Sequence, residues 1–251
     1  MKAAALALAV LLAQAGAAMA GEQAACDEAK HLVQAETALP RVAAAIAERH
    51  SLKVIVLGTG SSTLPGPGGE SAAYPARLEA ALAGLLPGVA VSVVADVRPR
   101  RTAAEMKAEE FNHIMDERPA LVVWQTGTVD AMRGVDPDDF RLTLDNGVKK
   151  LQAHGADVLF MNMQFSPRTE SMIAAGVYAD NMRWVALQHE VPLFDRLAIM
   201  KHWVETGTFD LYDASRNVDT AARVHDCIGR LLGEFIVDAV KGAPATPQDS
   251  K

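Results

Sequence analysis

The sequence contains little cysteine and few aromatic residues, with two cysteines, three tryptophans and three tyrosines among its 251 residues. The cysteines and histidines do not have the spacing of a zinc site, so the sequence does not indicate one. After the first 20 residues, the chain also lacks a hydrophobic run long enough to cross a bilayer. We therefore expect no stable membrane span.

Basic residues are outnumbered by acidic ones, 24 against 31, and the formal net charge is −7. The basic residues are dispersed except for one cluster, Arg98-Pro-Arg-Arg101. A protein that binds nucleic acid usually presents a basic patch and a positive charge. Nucleic acid is therefore not an expected partner, and a cluster of this kind is most often a solvated loop.

The first 20 residues predict a signal peptide. Met1-Lys2 is a basic start, Ala3 to Leu12 is apolar, and Ala18-Met-Ala20 fits a small-residue cleavage site. A retained anchor is the alternative. We expect an exported protein, periplasmic or secreted, with a folded domain over 21–241 and a disordered tail over 242–251.

Export makes the cysteines informative, because disulfides persist in oxidising compartments. Cys26 lies close to the start of the mature chain, and Cys227 lies in the last predicted helix. We expect a structural disulfide between them.

Apolar, β-branched runs predict five strands, at 54–57, 89–95, 119–125, 157–163 and 191–194. Helical patterns lie between them, at 27–50, 74–86, 103–116, 136–154, 168–188, 195–205 and 218–241. Strands that alternate with helices form a parallel sheet covered on both faces. The sequence therefore predicts a three-layer α/β/α sandwich of flavodoxin-like type with a five-stranded parallel sheet.

Small hydroxylated residues follow the first predicted strand, in the stretch Gly58-Thr-Gly-Ser-Ser-Thr63. Ligands of open α/β sheets bind beyond the carboxyl ends of the strands, where these hydroxyls are expected. A turn without a further role is the alternative.

These polar segments at strand ends resemble the blocks of the SGNH (GDSL-type) hydrolases, from Lys53 to the last helix. The resemblance implies a serine that attacks an acyl carbonyl, a histidine base and an oxyanion hole, with no metal or cofactor. It also implies that the substrate is an acyl or acetyl ester of a lipid or carbohydrate, a small molecule or glycan.

The family's nucleophile block corresponds here to Gly60-Ser-Ser-Thr63. Aligned as Gly-x-Ser, the block makes Ser62 the nucleophile. Aligned as Ser-x-Thr, it makes Ser61 the nucleophile, which the spacing to Tyr74-Pro75 favours slightly.

The family's Gly-x-Asn-Asp block corresponds to Gly127-Thr128-Val129-Asp130. Val129 stands where the resemblance implies an asparagine that donates to the oxyanion, and valine cannot donate. Gln125 and Gln164 are candidate replacements at strand ends, although a structural hydrogen-bonding role is the commoner one for such residues.

The remaining two blocks depart further from the family. The Arg98–Arg101 loop replaces a glycine-rich loop, and Arg100 is a candidate for binding an anionic group. Near Asp213, Arg216 stands where the family has its histidine. His225 is a candidate for a displaced base, and a helix-surface histidine is the alternative.

Two hypotheses follow. The first is an exported serine hydrolase of acyl esters with a displaced base. The second is a catalytically silent domain of the same fold that binds a carbohydrate or an anionic group. A histidine within hydrogen-bond distance of Ser61 or Ser62 favours the first, because a guanidinium cannot accept a proton at neutral pH.

Overall fold

The structure is a computed structural model that describes residues 24–212 and 217–243. The expected signal peptide, most of the expected tail, and the candidates Asp213 and Arg216 lie outside these ranges. Within them, no helix is both long enough and apolar enough to cross a membrane.

Five parallel strands form a single sheet in the order β2-β1-β3-β4-β5. The strands are β1 (Ser51–Gly58), β2 (Ala90–Val97), β3 (Leu121–Gln125), β4 (Asp157–Met161) and β5 (Leu193–Phe194). Every residue of β3 and β4 is buried, as expected for central strands covered on both faces. The predicted α/β/α sandwich with a five-stranded parallel sheet is confirmed.

Helices cover both faces of the sheet. They are α1 (Pro40–Arg49), α2 (Gly69–Ala72), α3 (Tyr74–Leu85), α4 (Ala103–Glu109), α5 (Phe111–Asp116), α6 (Thr128–Arg133), α7 (Pro137–Ala153), α8 (Pro167–Glu170), α9 (Ala175–Gln188), α10 (Arg196–Glu205) and α11 (Val218–Lys241). Side chains of β1 alternate between two cores, because successive residues of a strand point to opposite faces. Val54 and Val56 pack with α1, α3, α10 and α11, whereas Ile55 and Leu57 pack with α4, α5, α7 and α9.

Three of the predicted helices are wrong in extent. The segment 27–50 is a 3-10 turn at Lys30–Leu32 followed by α1, which begins at Pro40 because proline is suited to a first helical position. The segments 103–116 and 168–188 are each divided into two helices. Periodicity persists across such breaks, so the apolar pattern did not show them.

The expected disulfide between Cys26 and Cys227 is present, and both residues are buried. Cys227 lies on α11, which packs against α3. The bond therefore attaches the beginning of the described chain to the helix that covers one face of the sheet.

Candidate active site

The loop that carries both candidate serines leaves β1 at the carboxyl edge of the sheet. Residues Gly60–Ser62 form one turn of 3-10 helix there. The loop is held from one side by the N–H of Arg98, which donates to the carbonyl oxygen of Gly58 at 2.7 Å. On the other side lies β3, which pairs with β1 and ends at Gln125.

Gln125 is fully buried, and its Oε1 is the acceptor that holds this loop. It accepts from the backbone N–H of Thr59 at 2.8 Å, the Thr59 hydroxyl at 3.0 Å and the Ser62 hydroxyl at 2.9 Å. The backbone N–H can only donate, so it assigns the amide oxygen to this side. Gln125 thus positions the serine loop, and its Nε2 is buried without a hydrogen-bond partner among the described residues.

Ser62 is 1% exposed and belongs to the framework of the loop. Its hydroxyl donates to Gln125, so the Tyr74 hydroxyl, 2.8 Å away, donates to Ser62. Gly58 makes this packing possible, because a Cβ on Gly58 would lie 2.1 Å from Ser62 Oγ. Two hydrogen bonds and near-complete burial leave this oxygen little room to attack a substrate.

Ser61 is the partly exposed serine of the pair. Its Oγ lies 3.5 Å from the Thr59 hydroxyl and accepts a hydrogen bond from Nη2 of Arg196 at 3.3 Å. The hydroxyl is therefore reachable from solvent and adjacent to a positive charge.

Arg196 is a site residue that the sequence patterns did not indicate. It is the first residue of α10, it is 2% exposed, and its bond to Ser61 is the only side-chain hydrogen bond it makes to the described residues. Burial lowers the pKa of Arg196 to about 10, and the nearby Tyr74 phenol partly opposes this change. Its place directly after β5, at a strand's carboxyl end, was the available signal.

The backbone on both sides of Arg196 is held by Asn162, which follows β4. The Asn162 amide donates to Oδ1 of Asp195 at 2.7 Å, and its oxygen accepts from the Leu197 N–H at 2.9 Å. Asp195 also caps α10 through the Ala198 N–H. Arg183 pairs with the other oxygen of Asp195 at 2.7 Å, so both carboxylate oxygens have partners other than Arg196.

His225 lies close to this site but is not oriented as a base. Its Nδ1 accepts a hydrogen bond from the backbone N–H of Tyr74 at 3.0 Å, which places the imidazole proton on Nε2. Burial, and then the charge of Arg196, lowers the pKa of His225 to about 4. Among the described residues, no histidine hydrogen-bonds to Ser61 or Ser62.

The residues of the third block shape the turn after β3. Asp130 is 1% exposed and accepts from the N–H groups of Ala103 at 2.9 Å and Gly127 at 3.3 Å, and from the Thr126 hydroxyl at 3.2 Å. Burial raises the pKa of Asp130. Gly127 has a φ of 99°, and Thr128 is buried at the start of α6. Because the Gly127 N–H already donates to Asp130, it is not free to bind an oxyanion.

The arginine cluster is mostly neutralised by its own neighbours. Arg98 pairs with Asp96 at 2.7 Å and Glu110 at 2.8 Å, and Arg101 pairs with Glu109 at 3.0 Å. Arg100 is exposed, and its side chain makes no ion pair with the described residues.

Two further candidates have little around them in the structure. Gln164 is partly exposed, and its side chain makes no hydrogen bond within the described ranges. Gly60 faces the arginine loop across open space, with Pro99 Cβ 4.0 Å from where its Cβ would lie. These observations assign no role to Gln164 or Gly60. In the same ranges, no cluster of three or more His, Cys, Asp or Glu is arranged to hold a metal ion.

Comparison with known proteins identifies the family of this chain. A model of the Non-GDSL lipase-like family matches residues 25–242. The chain belongs to this family. No curated protein sequence matches the chain.

Solved structures similar to this family member include an esterase and a protein of the G-D-S-L family. Axe2, an acetylxylan esterase from Geobacillus stearothermophilus, is 17% identical with a TM-score of 0.58, over 78% of this chain and 97% of its own. TesA is 22% identical with a TM-score of 0.54, over 73% and 99%. A protein of the G-D-S-L family from Desulfitobacterium hafniense DCB-2 is 15% identical with a TM-score of 0.57, over 73% and 98%. The resemblance to SGNH-type hydrolases is confirmed, and at these identities the likeness shows the fold.

Proposed function

We propose that this member of the Non-GDSL lipase-like family is an exported ester hydrolase in which Ser61 is the nucleophile. One observation carries the proposal: the partly exposed Ser61 Oγ lies 3.3 Å from the buried guanidinium of Arg196. The substrate is an acyl or acetyl ester, as in the fold's esterases. Export is supported by the signal-like residues 1–20 and by the disulfide.

Arg196 supplies positive charge at the attacking oxygen. Its Nη2 donates to Ser61 Oγ at 3.3 Å, so it stabilises the negative charge that develops there as the serine proton leaves. Preorganised charged donors of this kind lower the free energy of the transition state. Two positions of the third block do not supply an oxyanion donor, because the Val129 side chain cannot donate a hydrogen bond and the Gly127 N–H is bonded to Asp130.

The reaction takes place in two steps. Ser61 Oγ bonds to the carbonyl carbon while its proton passes to hydroxide from solvent, and the alcohol leaves with a proton from water. Water then attacks the acyl-serine, releases the carboxylic acid and restores the Ser61 hydroxyl. Solvent hydroxide accepts the serine proton because the Nδ1 of His225 already accepts the Tyr74 N–H and its Nε2 carries a proton.

Hydrolysis of 4-nitrophenyl acetate by the parent chain and by Ser61→Ala and Ser62→Ala variants tests this proposal. We expect Ser61→Ala to fall to the background rate, and a fluorophosphonate probe to label Ser61. Ser62→Ala is expected to retain activity and to lose stability, because it removes the hydrogen-bond partner of the buried Tyr74 hydroxyl and one of the three donors to Gln125 Oε1. Equal rates in the parent and Ser61→Ala would contradict the proposal.

The pH dependence tests the route of the proton. With hydroxide as the acceptor, kcat/KM should rise with pH from neutrality to pH 9. If His225 were the base, its pKa of about 4 would leave it deprotonated throughout this range, and kcat/KM would not change with pH.

A silent binding domain is the second candidate function. It is favoured by the absence, among the described residues, of a histidine bonded to either serine. A parent chain that does not hydrolyse activated esters yet binds anions would support this alternative.

A further inference from the structure

Arg196 is a buried positive charge without a counter-charge in the described part of the chain. The residue is 2% exposed, and none of the carboxylates there forms an ion pair with it. Its Nε is buried and has no hydrogen-bond partner among those residues. Arginine is almost never buried without a partner, because moving an unpaired charge out of water costs several kcal/mol (about 3 or more).

The groups around this guanidinium are neutral. The Ser61 hydroxyl accepts a hydrogen bond from one of the several N–H groups of Arg196. The Tyr74 phenol and His225 lie close enough to interact electrostatically with it, and burial keeps Tyr74 protonated and His225 uncharged at neutral pH. The adjacent Asp195 is bonded to Asn162 and Arg183 instead. The site therefore combines one positive charge with hydroxyl groups, which suits an anionic ligand.

The charge of the site limits which anions it can bind. A single guanidinium neutralises a monoanion, whereas a phosphate dianion would leave buried negative charge uncompensated. A carboxylate also matches the planar, paired N–H geometry of arginine. We propose that Arg196 binds a carboxylate group of the ligand and that the substrate is an ester that also carries a free carboxylate. The second half of this statement rests on the proposed hydrolase function.

Binding is tested without catalysis, by thermal denaturation in sodium acetate, sodium phosphate and sodium chloride at equal ionic strength. We expect the melting temperature of the parent and of Ser61→Ala to rise with acetate and to saturate, relative to chloride. Arg196→Met should not respond. Arg183→Met is the matched control, because it removes an exposed, ion-paired arginine, and its response should persist.

Three results would overturn the binding proposal: no acetate response in the parent, an equal response in Arg196→Met, or a larger response to phosphate than to acetate. Arg196→Lys is a second variant, which tests the proposal even if Arg196→Met does not fold. Lysine retains the positive charge but not the paired N–H geometry of arginine, so this variant should bind acetate more weakly.

Substrate preference is tested with two esters of equal chain length, mono-4-nitrophenyl adipate and 4-nitrophenyl hexanoate. Charge-assisted hydrogen bonds predict that the parent prefers the adipate by about tenfold to 100-fold in kcat/KM. The preference should approach unity in Arg196→Met, whatever its overall rate. An acetate response without hydrolysis of either ester would overturn only the hydrolase function. Hydrolysis without preference or acetate response would overturn only the carboxylate site.

Discussion

Replacing Arg196 with methionine should make the ligand-free protein more stable, although the residue is central to the proposed site. Burial lowers the pKa of Arg196 to about 10. At about 1.4 kcal/mol per pKa unit, keeping the guanidinium charged destabilises the fold by about 3 kcal/mol relative to an unfolded arginine of ordinary pKa. Because the folded-state pKa is the lower one, this penalty is fully present at neutral pH and declines only above pH 10.

Methionine keeps much of the apolar stem but loses the hydrogen bond to Ser61 and leaves part of the guanidinium volume empty. Each of these losses costs about 1 kcal/mol or less, so the expected net gain is about 1–2 kcal/mol. For a domain of this size, that gain raises the melting temperature by about 2–8 °C. Calorimetry and urea unfolding at pH 7, in buffer free of carboxylate and phosphate, measure it.

The control is again Arg183→Met, whose exposed guanidinium pairs with Asp195 at 2.7 Å and Asp180 at 3.4 Å. Exposed pairs contribute little, so a loss of about 1 kcal/mol or less is expected. The reasoning is refuted if Arg196→Met unfolds more easily than the parent by more than about 1 kcal/mol, since the guanidinium would then be stabilising the fold.

Two further predictions concern the framework of the site. Gly58→Ala should destabilise the protein by about 1–3 kcal/mol in urea unfolding, because the new Cβ would lie 2.1 Å from Ser62 Oγ and displace it from Gln125. Gly84→Ala, on α3 with nothing within 4 Å, is the control and should be neutral or slightly stabilising, and equal effects of the two variants would contradict the packing. Reducing the Cys26–Cys227 disulfide should lower the melting temperature, because the bond closes a loop of 201 residues and restricts the unfolded chain by about 5 kcal/mol in the chain-entropy treatment. Two titratable thiols before reduction would contradict it.

The sequence predicted where the site lies but not which side chains interact in it. Ser61 and Ser62 are adjacent and chemically identical, so the sequence favoured Ser61 only slightly. In the structure, one hydroxyl is buried between Tyr74 and Gln125, and the other is partly exposed beside Arg196. The difference depends on how β1 and β3 pair, which no local pattern contains.

His225 illustrates the same limit. Its place in α11 was predictable from periodicity, but its tautomer is set by the backbone N–H of Tyr74, which is 151 residues away in the chain. Gln125, proposed as an oxyanion donor or a structural hydrogen-bonder, directs its amide oxygen at the serine loop. That position makes it an acceptor for the loop, and its amide nitrogen is buried.

The sequence by itself determined the parallel sandwich and the serine loop after the first strand, because β-branched runs, helical periodicity and turn residues act over a few positions. It also indicated the cysteine pair. Only the tertiary structure decided the electrostatics of the site. The burial of Arg196, the pairing of Asp195 with Asn162 and Arg183, and the orientation of His225 arise where distant segments meet. A buried charge without a partner is a property of an environment, and the environment exists only after folding.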